Sequence, residues 1–175
     1  MSVPDLGSRT TVVLVDTNVI IEAVRVGCWK ALTGARQVET VEECRDETQR
    51  GSPHDPGYVM IGATELGGLA AAHPVTDAER AAFYLGYEEG PAMDPGERDL
   101  MAHAYARMQR EDSVWVACSP DKASIRAAVA IGCGDNMVSL EKLIEAIGTR
   151  PRKPLLSWHS ARWLSDFRTA VLLGR

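Results

Sequence analysis

The first apolar run of the chain, residues 11–15, constrains the fold more than any other stretch. Its four consecutive Val and Leu residues show no alternation, which is typical of a strand buried on both faces of a parallel sheet. The run ends at Asp16-Thr17-Asn18, and the apolar stretch that follows predicts a helix capped by Thr17 or Asn18. A carboxylate at this end of a central strand either caps the helix or meets a ligand, since open α/β sheets bind their ligands there.

The same pattern recurs near residue 115. An apolar run over residues 113–118 ends in Ser119-Pro120-Asp121, and a helix is predicted directly after it. Other elements alternate in the same way, which predicts an α/β fold: a three-layer α/β/α sandwich with a central parallel sheet of four or five strands. The remaining predictions are short strands at 37–40 and 136–138, a helix ending near 49, and helices over 59–72, 76–87, from 94 onward and 139–148.

Length and composition predict one main domain with two flanking segments. The chain has 175 residues, enough for a hydrophobic core. We expect an N-terminal lead over residues 1–10, a domain over 11–148, and a basic linker followed by an amphipathic helix over 149–175. The apolar stripe of that helix contains Trp158 and Trp163, which we expect to pack against the domain or against a second subunit.

The charge is uneven along the chain. Residues 148–175 carry six basic groups and one acid, while the rest carries 13 basic and 23 acidic groups. A phosphate-rich substrate would be repelled by the acidic body unless cations neutralise it. The sequence contains no apolar run of membrane-spanning length and no signal core, and its four cysteines lack zinc spacing, so we expect a cytoplasmic protein with reduced thiols and no membrane partner.

Several acids fall where a shared crevice is expected. If the two long strands are neighbours, Asp16 and Asp121 point into the same crevice at the carboxyl edge of the sheet. Glu97 and Asp99 begin the helix that precedes the second strand, and the charged helix near residue 43 offers a further acid. Clustered carboxylates repel one another unless a cation neutralises them, and oxygen ligands without His or Cys select Mg²⁺ or Mn²⁺.

Three short stretches resemble the motifs of PIN-domain nucleases. They are Val12-Val-Leu-Val-Asp16-Thr-Asn18, then Asp94-Pro-Gly-Glu97-Arg-Asp99, and Val116-Ala-Cys-Ser119-Pro-Asp121, in the order found in that family. The resemblance covers residues 11–148. It implies a PIN-like fold and a Mg²⁺- or Mn²⁺-dependent endoribonuclease that cleaves RNA with metal-activated water.

The resemblance also implies roles for individual residues. The metal-binding acids would be Asp16, Glu43, Asp99 and Asp121, with Asn18 and Ser119 positioning ligands or water. Glu42 competes with Glu43, and Glu97 competes with Asp99, because the sequence does not fix the helical register.

Partners and alternative functions follow from the same comparison. Many small bacterial members of this family are toxins, so an antitoxin protein is a candidate partner, and the tail helix makes a homodimer a candidate assembly. One alternative is an inactive PIN-like module that binds RNA or protein. A haloacid-dehalogenase-like phosphatase fits less well, because its second acid would fall at Asn18, which cannot exchange a proton.

Overall fold

The computed structural model describes residues 6, 8, 10–110 and 114–174 of the protein. It is an α/β fold whose central four-stranded sheet is entirely parallel, with the strand order β3-β2-β1-β4. Helices flank the sheet in a three-layer α/β/α sandwich, which confirms the predicted fold class. Most of the predicted lead over residues 1–10 and the first residue of the predicted strand at 113 lie outside the described residues.

The elements alternate along the chain as parallel topology requires. The strands are β1 (Val12–Val15), β2 (Gln37–Val41), β3 (Ala71–His73) and β4 (Trp115–Cys118). The helices are α1 (Thr17–Arg25), α2 (Trp29–Ala35), α3 (Glu42–Glu47), α4 (Ala63–Leu66), α5 (Asp77–Gly86), α6 (Pro95–Arg110), α7 (Lys122–Ala130), α8 (Leu140–Ala146) and α9 (Ala161–Leu172).

Strand β1 lies at the centre of the protein. It pairs with β2 through Val13 and Val38 and with β4 through Val13 and Val116. Its side chains alternate between two separate cores: Val12 and Leu14 pack on one side of the sheet, and Val13 and Val15 on the other. Helices therefore cover both faces of the strand, which is why its sequence shows no polar alternation.

Two of the local predictions are wrong. The predicted helix over residues 59–72 is only α4, one turn long, followed by the edge strand β3, which pairs with β2. Gly67 and Gly68 directly follow that turn, where glycine favours ending a helix. The predicted strand at 136–138 contributes only an isolated bridge between Ala117 and Met137, so four strands form the sheet within the described residues.

The tail is fixed to the domain by hydrogen bonds from its backbone. The amide of Arg152 donates to the carbonyl of Val26, and the amide of Leu156 donates to Oε1 of the buried Glu22, both over 2.8 Å. Helix α9 then packs against α7 with Leu164 buried and Trp163 partly buried against the core. The predicted basic linker is therefore docked on the domain.

His159 in this docked segment provides a test by pH. Its side chain is 3 % exposed, and burial lowers its pKa to about 4. As the pH falls from about 6.5, the unfolded chain binds a proton at this position and the folded chain does not, so its contribution to stability decreases. We expect the stability difference between wild type and His159→Gln to change by about 2 kcal/mol in favour of the variant between pH 7 and pH 5.

Urea unfolding at both pH values measures this change. His54→Gln supplies the matched control, since it removes a histidine whose side chain is exposed. The prediction is contradicted if the difference in stability between wild type and His159→Gln is the same at pH 7 and at pH 5.

Two further features of the described residues concern the length of the helices and the state of the cysteines. None of the helices in the described ranges is both long and apolar enough to cross a membrane. All four cysteines are buried and free, as the expectation of reduced thiols requires.

Candidate functional site

Asp16 lies at the carboxyl end of β1 and is almost completely buried, with 2 % of its surface exposed. Its Oδ1 accepts a hydrogen bond of 2.8 Å from the Val19 amide, so Asp16 caps α1, and the prediction that Thr17 or Asn18 caps this helix is wrong. Its Oδ2 accepts a bond of 2.6 Å from the Ser119 hydroxyl, which follows the neighbouring strand β4. Asp16 therefore both caps a helix and links the ends of two central strands.

An open pocket of about 260 Å³ lies directly beside Asp16. It occupies the carboxyl edge of the sheet, where parallel α/β folds bind their ligands. Its lining residues come from the starts of α1 and α6 and from helix α3: Asp16, Thr17, Asn18, Cys44, Glu47, Asp94, Pro95 and Glu97.

Two hydrogen bonds orient Glu47 on the wall of this pocket. The Thr17 hydroxyl donates a bond of 2.6 Å to its Oε2, and the Gly96 amide donates a bond of 3.1 Å to its Oε1. The backbone of Gly96 approaches so closely that a Cβ at this position would overlap the Glu47 carboxylate. Glycine at this position therefore lets the α6 N-terminus approach the acidic side chain without displacing it.

Glu97 and Asp121 form the other side of the acidic group. Burial, the negative charge of Asp121 and a hydrogen bond shared with it raise the pKa of Glu97 to about 8. Asp121 caps α7, since its Oδ1 accepts bonds from the amides of Ala123 and Ser124. The two carboxyl groups come from different elements and are close enough to share a proton.

The charge on Asp16 is disfavoured in the same way. Burial is the main cause that raises its pKa to about 7; the bonds from Ser119 and Val19 oppose this, while Asp121 and Glu47 add to it. A carboxyl group whose charge is disfavoured in this way is stabilised by a proton or by a cation placed beside it.

The structure brings some of the predicted site residues together and leaves others apart. Asp16, Glu97, Ser119 and Asp121 lie at this edge of the sheet, and Asn18 is an exposed residue of the pocket wall.

Asp99 lies away from the pocket. Its two carboxylate oxygens accept bonds of 2.8 and 2.6 Å from Arg80 on α5, and Arg98 adds a third contact. Positions 97 and 99 are about 200° apart around a helix, so they face opposite directions. Of the two alternatives at the start of α6, the geometry favours Glu97 as the pocket residue.

The acids at the start of α3 are also engaged elsewhere. Glu43 forms an ion pair of 2.9 Å with Arg50, and Glu42 is exposed beside Arg45. The acid that α3 contributes to the pocket is Glu47, one turn beyond Glu43.

Sequence reasoning missed Glu47 and Asp94. A signal for Glu47 was present, because it follows Glu43 at a spacing of four in the same charged helix and therefore lies on the same face. Asp94 directly precedes the Pro95-Gly96 start of α6, a position that suits an acidic residue at a helix N-terminus.

The side chains of the pocket that could bind a metal ion suit a hard cation. The acids offer oxygens only, and the Cys44 thiol does not compete as a ligand, because burial raises its pKa far above the usual range. Among the residues that the structure describes, no three His, Cys, Asp or Glu side chains already form a ready metal site. Binding therefore requires adjustment of the side chains, and Glu47 and Glu97, which are only partly buried, have room for it.

Fold and pocket together define an α/β protein with an acidic crevice at the carboxyl edge of a parallel sheet. No family model, no curated protein and no solved structure matches the chain.

Proposed function

We propose that this protein is a Mg²⁺- or Mn²⁺-dependent endoribonuclease that hydrolyses RNA phosphodiesters at the acidic pocket. The observation that supports this most strongly is the convergence of Asp16, Glu47, Glu97 and Asp121 from four different helices and loops on one edge of the sheet. An RNA phosphate is repelled by such a group of acids unless cations are present, so a divalent ion and the substrate are expected to bind together.

In this proposal the four acids share one role, and hydrogen bonds from neighbouring hydroxyl groups orient two of them. Asp16, Glu47, Glu97 and Asp121 would hold the cation, which when bound activates water and stabilises negative charge on the leaving oxygen. Ser119 orients Asp16 through its 2.6 Å bond, and Thr17 orients Glu47 in the same way. These bonds fix the carboxylates before substrate arrives, so that less reorganisation is needed during the reaction.

The resemblance of three sequence motifs to PIN-domain nucleases agrees with this proposal. Within that resemblance Glu47 replaces Glu43, and Glu97 replaces Asp99, as the residues that we favour for the metal. The toxin role, an antitoxin partner and a homodimer stay predictions from the sequence.

Two acids of α3 provide a matched test. Glu47→Gln keeps an oxygen that can accept the Thr17 bond but removes the charge, while Glu43→Gln changes an acid on the same helix that pairs with Arg50. We expect Glu47→Gln to weaken Mn²⁺ binding and RNA cleavage at least about 10-fold, because a charged ligand is lost, and Glu43→Gln to retain both.

Calorimetric titration with Mn²⁺ and cleavage of a labelled RNA with and without Mn²⁺ measure these effects. Loss of activity in Glu43→Gln with an unchanged Glu47→Gln would refute the assignment of Glu47. Wild-type protein that binds RNA but leaves it intact at every Mg²⁺ and Mn²⁺ concentration would instead support the inactive binding module.

A further inference from the structure

Trp158 of the docked tail is only partly packed against the domain, although the sequence predicts that both Trp158 and Trp163 pack. It lies in a short 3-10 helix, Ser157–His159, and 45 % of its surface is exposed, whereas its neighbour His159 is 3 % exposed. The backbone around it is anchored, since the amide of Leu156 bonds to Glu22 and the amide of Ala161 bonds to Glu141, both over 2.8 Å. An indole held on a fixed backbone loses little conformational freedom when a ligand stacks on it.

The position of Trp158 relates it to the acidic pocket. It lines a narrow crevice together with Ser119 and Pro120, and the hydroxyl of Ser119 is bonded to Asp16. Along the carboxyl edge of the sheet the order is Glu47 after β2, Asp16 after β1, Ser119 after β4, and then the crevice with Trp158. Neighbouring strands are about 4.8 Å apart, so this crevice lies about 10 Å from the end of β1, within reach of a nucleotide adjacent to a bound phosphate.

Two basic side chains lie on α7, which begins directly after Asp121. Lys122 and Arg126 are exposed, and neither forms an ion pair in the described part of the protein. Their charged groups lie 5.6 and 5.2 Å from the centroid of the Phe167 ring on α9, so the ring beneath them is Phe167 and not Trp158. They add positive charge on the helix that follows Asp121, and positive charge attracts the phosphates of a nucleic acid.

We propose that Trp158 stacks on an unpaired base of the nucleic acid next to the phosphate held in the acidic pocket. The inference rests on the proposed function and extends it by assigning Trp158 as the residue that contacts a base beside the bound phosphate. A base that is paired and stacked inside a duplex is not available to the indole, so this residue selects single strands.

Binding of a fluorescent single-stranded RNA 10-mer, followed by anisotropy in Ca²⁺, tests the proposal. The full chain keeps Asp16, Ca²⁺ replaces Mg²⁺ as a hard cation that carboxylates bind, and the RNA is checked to be intact after each titration. Trp158→Ala, Trp158→Phe and Leu172→Ala are compared with this protein in turn. We expect Trp158→Ala to weaken binding about 10-fold, Trp158→Phe to restore most of the affinity through its ring, and both to leave binding of the matching duplex unchanged. Leu172, which is 68 % exposed on α9, controls for the loss of any exposed apolar side chain and should have no effect.

Several outcomes overturn the inference. The first is that Trp158→Ala binds the single strand as tightly as the protein with native Trp158. The second is that this variant loses as much affinity for the duplex as for the single strand. The third is that the protein with native Trp158 binds no RNA. A change in oligomeric state without a change in RNA affinity also overturns it, and would indicate that a second copy covers Trp158.

The proposed function fails separately from this inference. If the protein with native Asp16 never cleaves RNA in Mn²⁺ but Trp158→Ala loses affinity, the nuclease is refuted and the stacking site stands. If that protein cleaves RNA and Trp158→Ala binds normally, only the stacking site is refuted.

Discussion

Asp16→Asn is expected to reduce Mn²⁺-dependent RNA cleavage at least about 100-fold while the protein remains folded. Asparagine has the same shape, its carbonyl can accept the bond from the Val19 amide, and its amide group can donate to the Ser119 hydroxyl. The fold therefore keeps both links that Asp16 makes. The negative charge at the centre of the acidic pocket is lost, and with it the strongest attraction for a cation.

Initial cleavage rates and thermal unfolding followed by circular dichroism measure the two parts of this prediction. Glu42→Gln supplies the control, because it removes an exposed acid from the same edge without touching the pocket. Full residual cleavage by Asp16→Asn would remove Asp16 from the proposed mechanism. Loss of the folded state would show that the helix cap, and not metal binding, is its main role.

Asp99→Asn should have the opposite profile, with lower stability and intact Mn²⁺ binding. The Asp99 side chain is 5 % exposed and pairs with Arg80 through two bonds of 2.8 and 2.6 Å. Breaking a fully buried pair costs about 3–5 kcal/mol; because Arg80 is 27 % exposed, we expect a smaller loss of about 2 kcal/mol.

Urea unfolding and Mn²⁺ titration of the same samples separate the two roles of Asp99. Asp77→Asn is the matched control, because it removes the fully exposed partner of the same Arg80 and should leave stability nearly unchanged. Unchanged stability together with lost Mn²⁺ binding in Asp99→Asn would restore Asp99 as a metal ligand.

The two ambiguous assignments in the sequence had different physical origins. Glu97 and Asp99 face opposite sides of α6, and the choice between them depends on where α5 places Arg80. The other ambiguity, between Glu42 and Glu43, is resolved in favour of neither, because the turn of α3 that passes Thr17 and Gly96 carries Glu47. Neither piece of information is local, so the spacing of the acids indicates a shared face of α3 but not the turn that reaches the pocket.

The missed edge strand β3 has a similar explanation. Its sequence, Ala71-Ala-His73, has no strand propensity of its own, and it is extended because it pairs with β2. Propensity favoured a helix across this stretch, and tertiary pairing decided against it.

The sequence by itself determined the parallel sheet, the helix after each long strand, and the position of Asp16 and Asp121 at the strand ends. These follow from runs of apolar residues and from capping chemistry, which act over a few neighbours and are the same in any fold. Tertiary structure alone decided that Glu47 and Glu97 face the pocket, that Asp99 pairs with Arg80, and that the tail places Trp158 beside Ser119. Those outcomes depend on how whole helices pack against one another, since packing sets which side of each helix meets which neighbour.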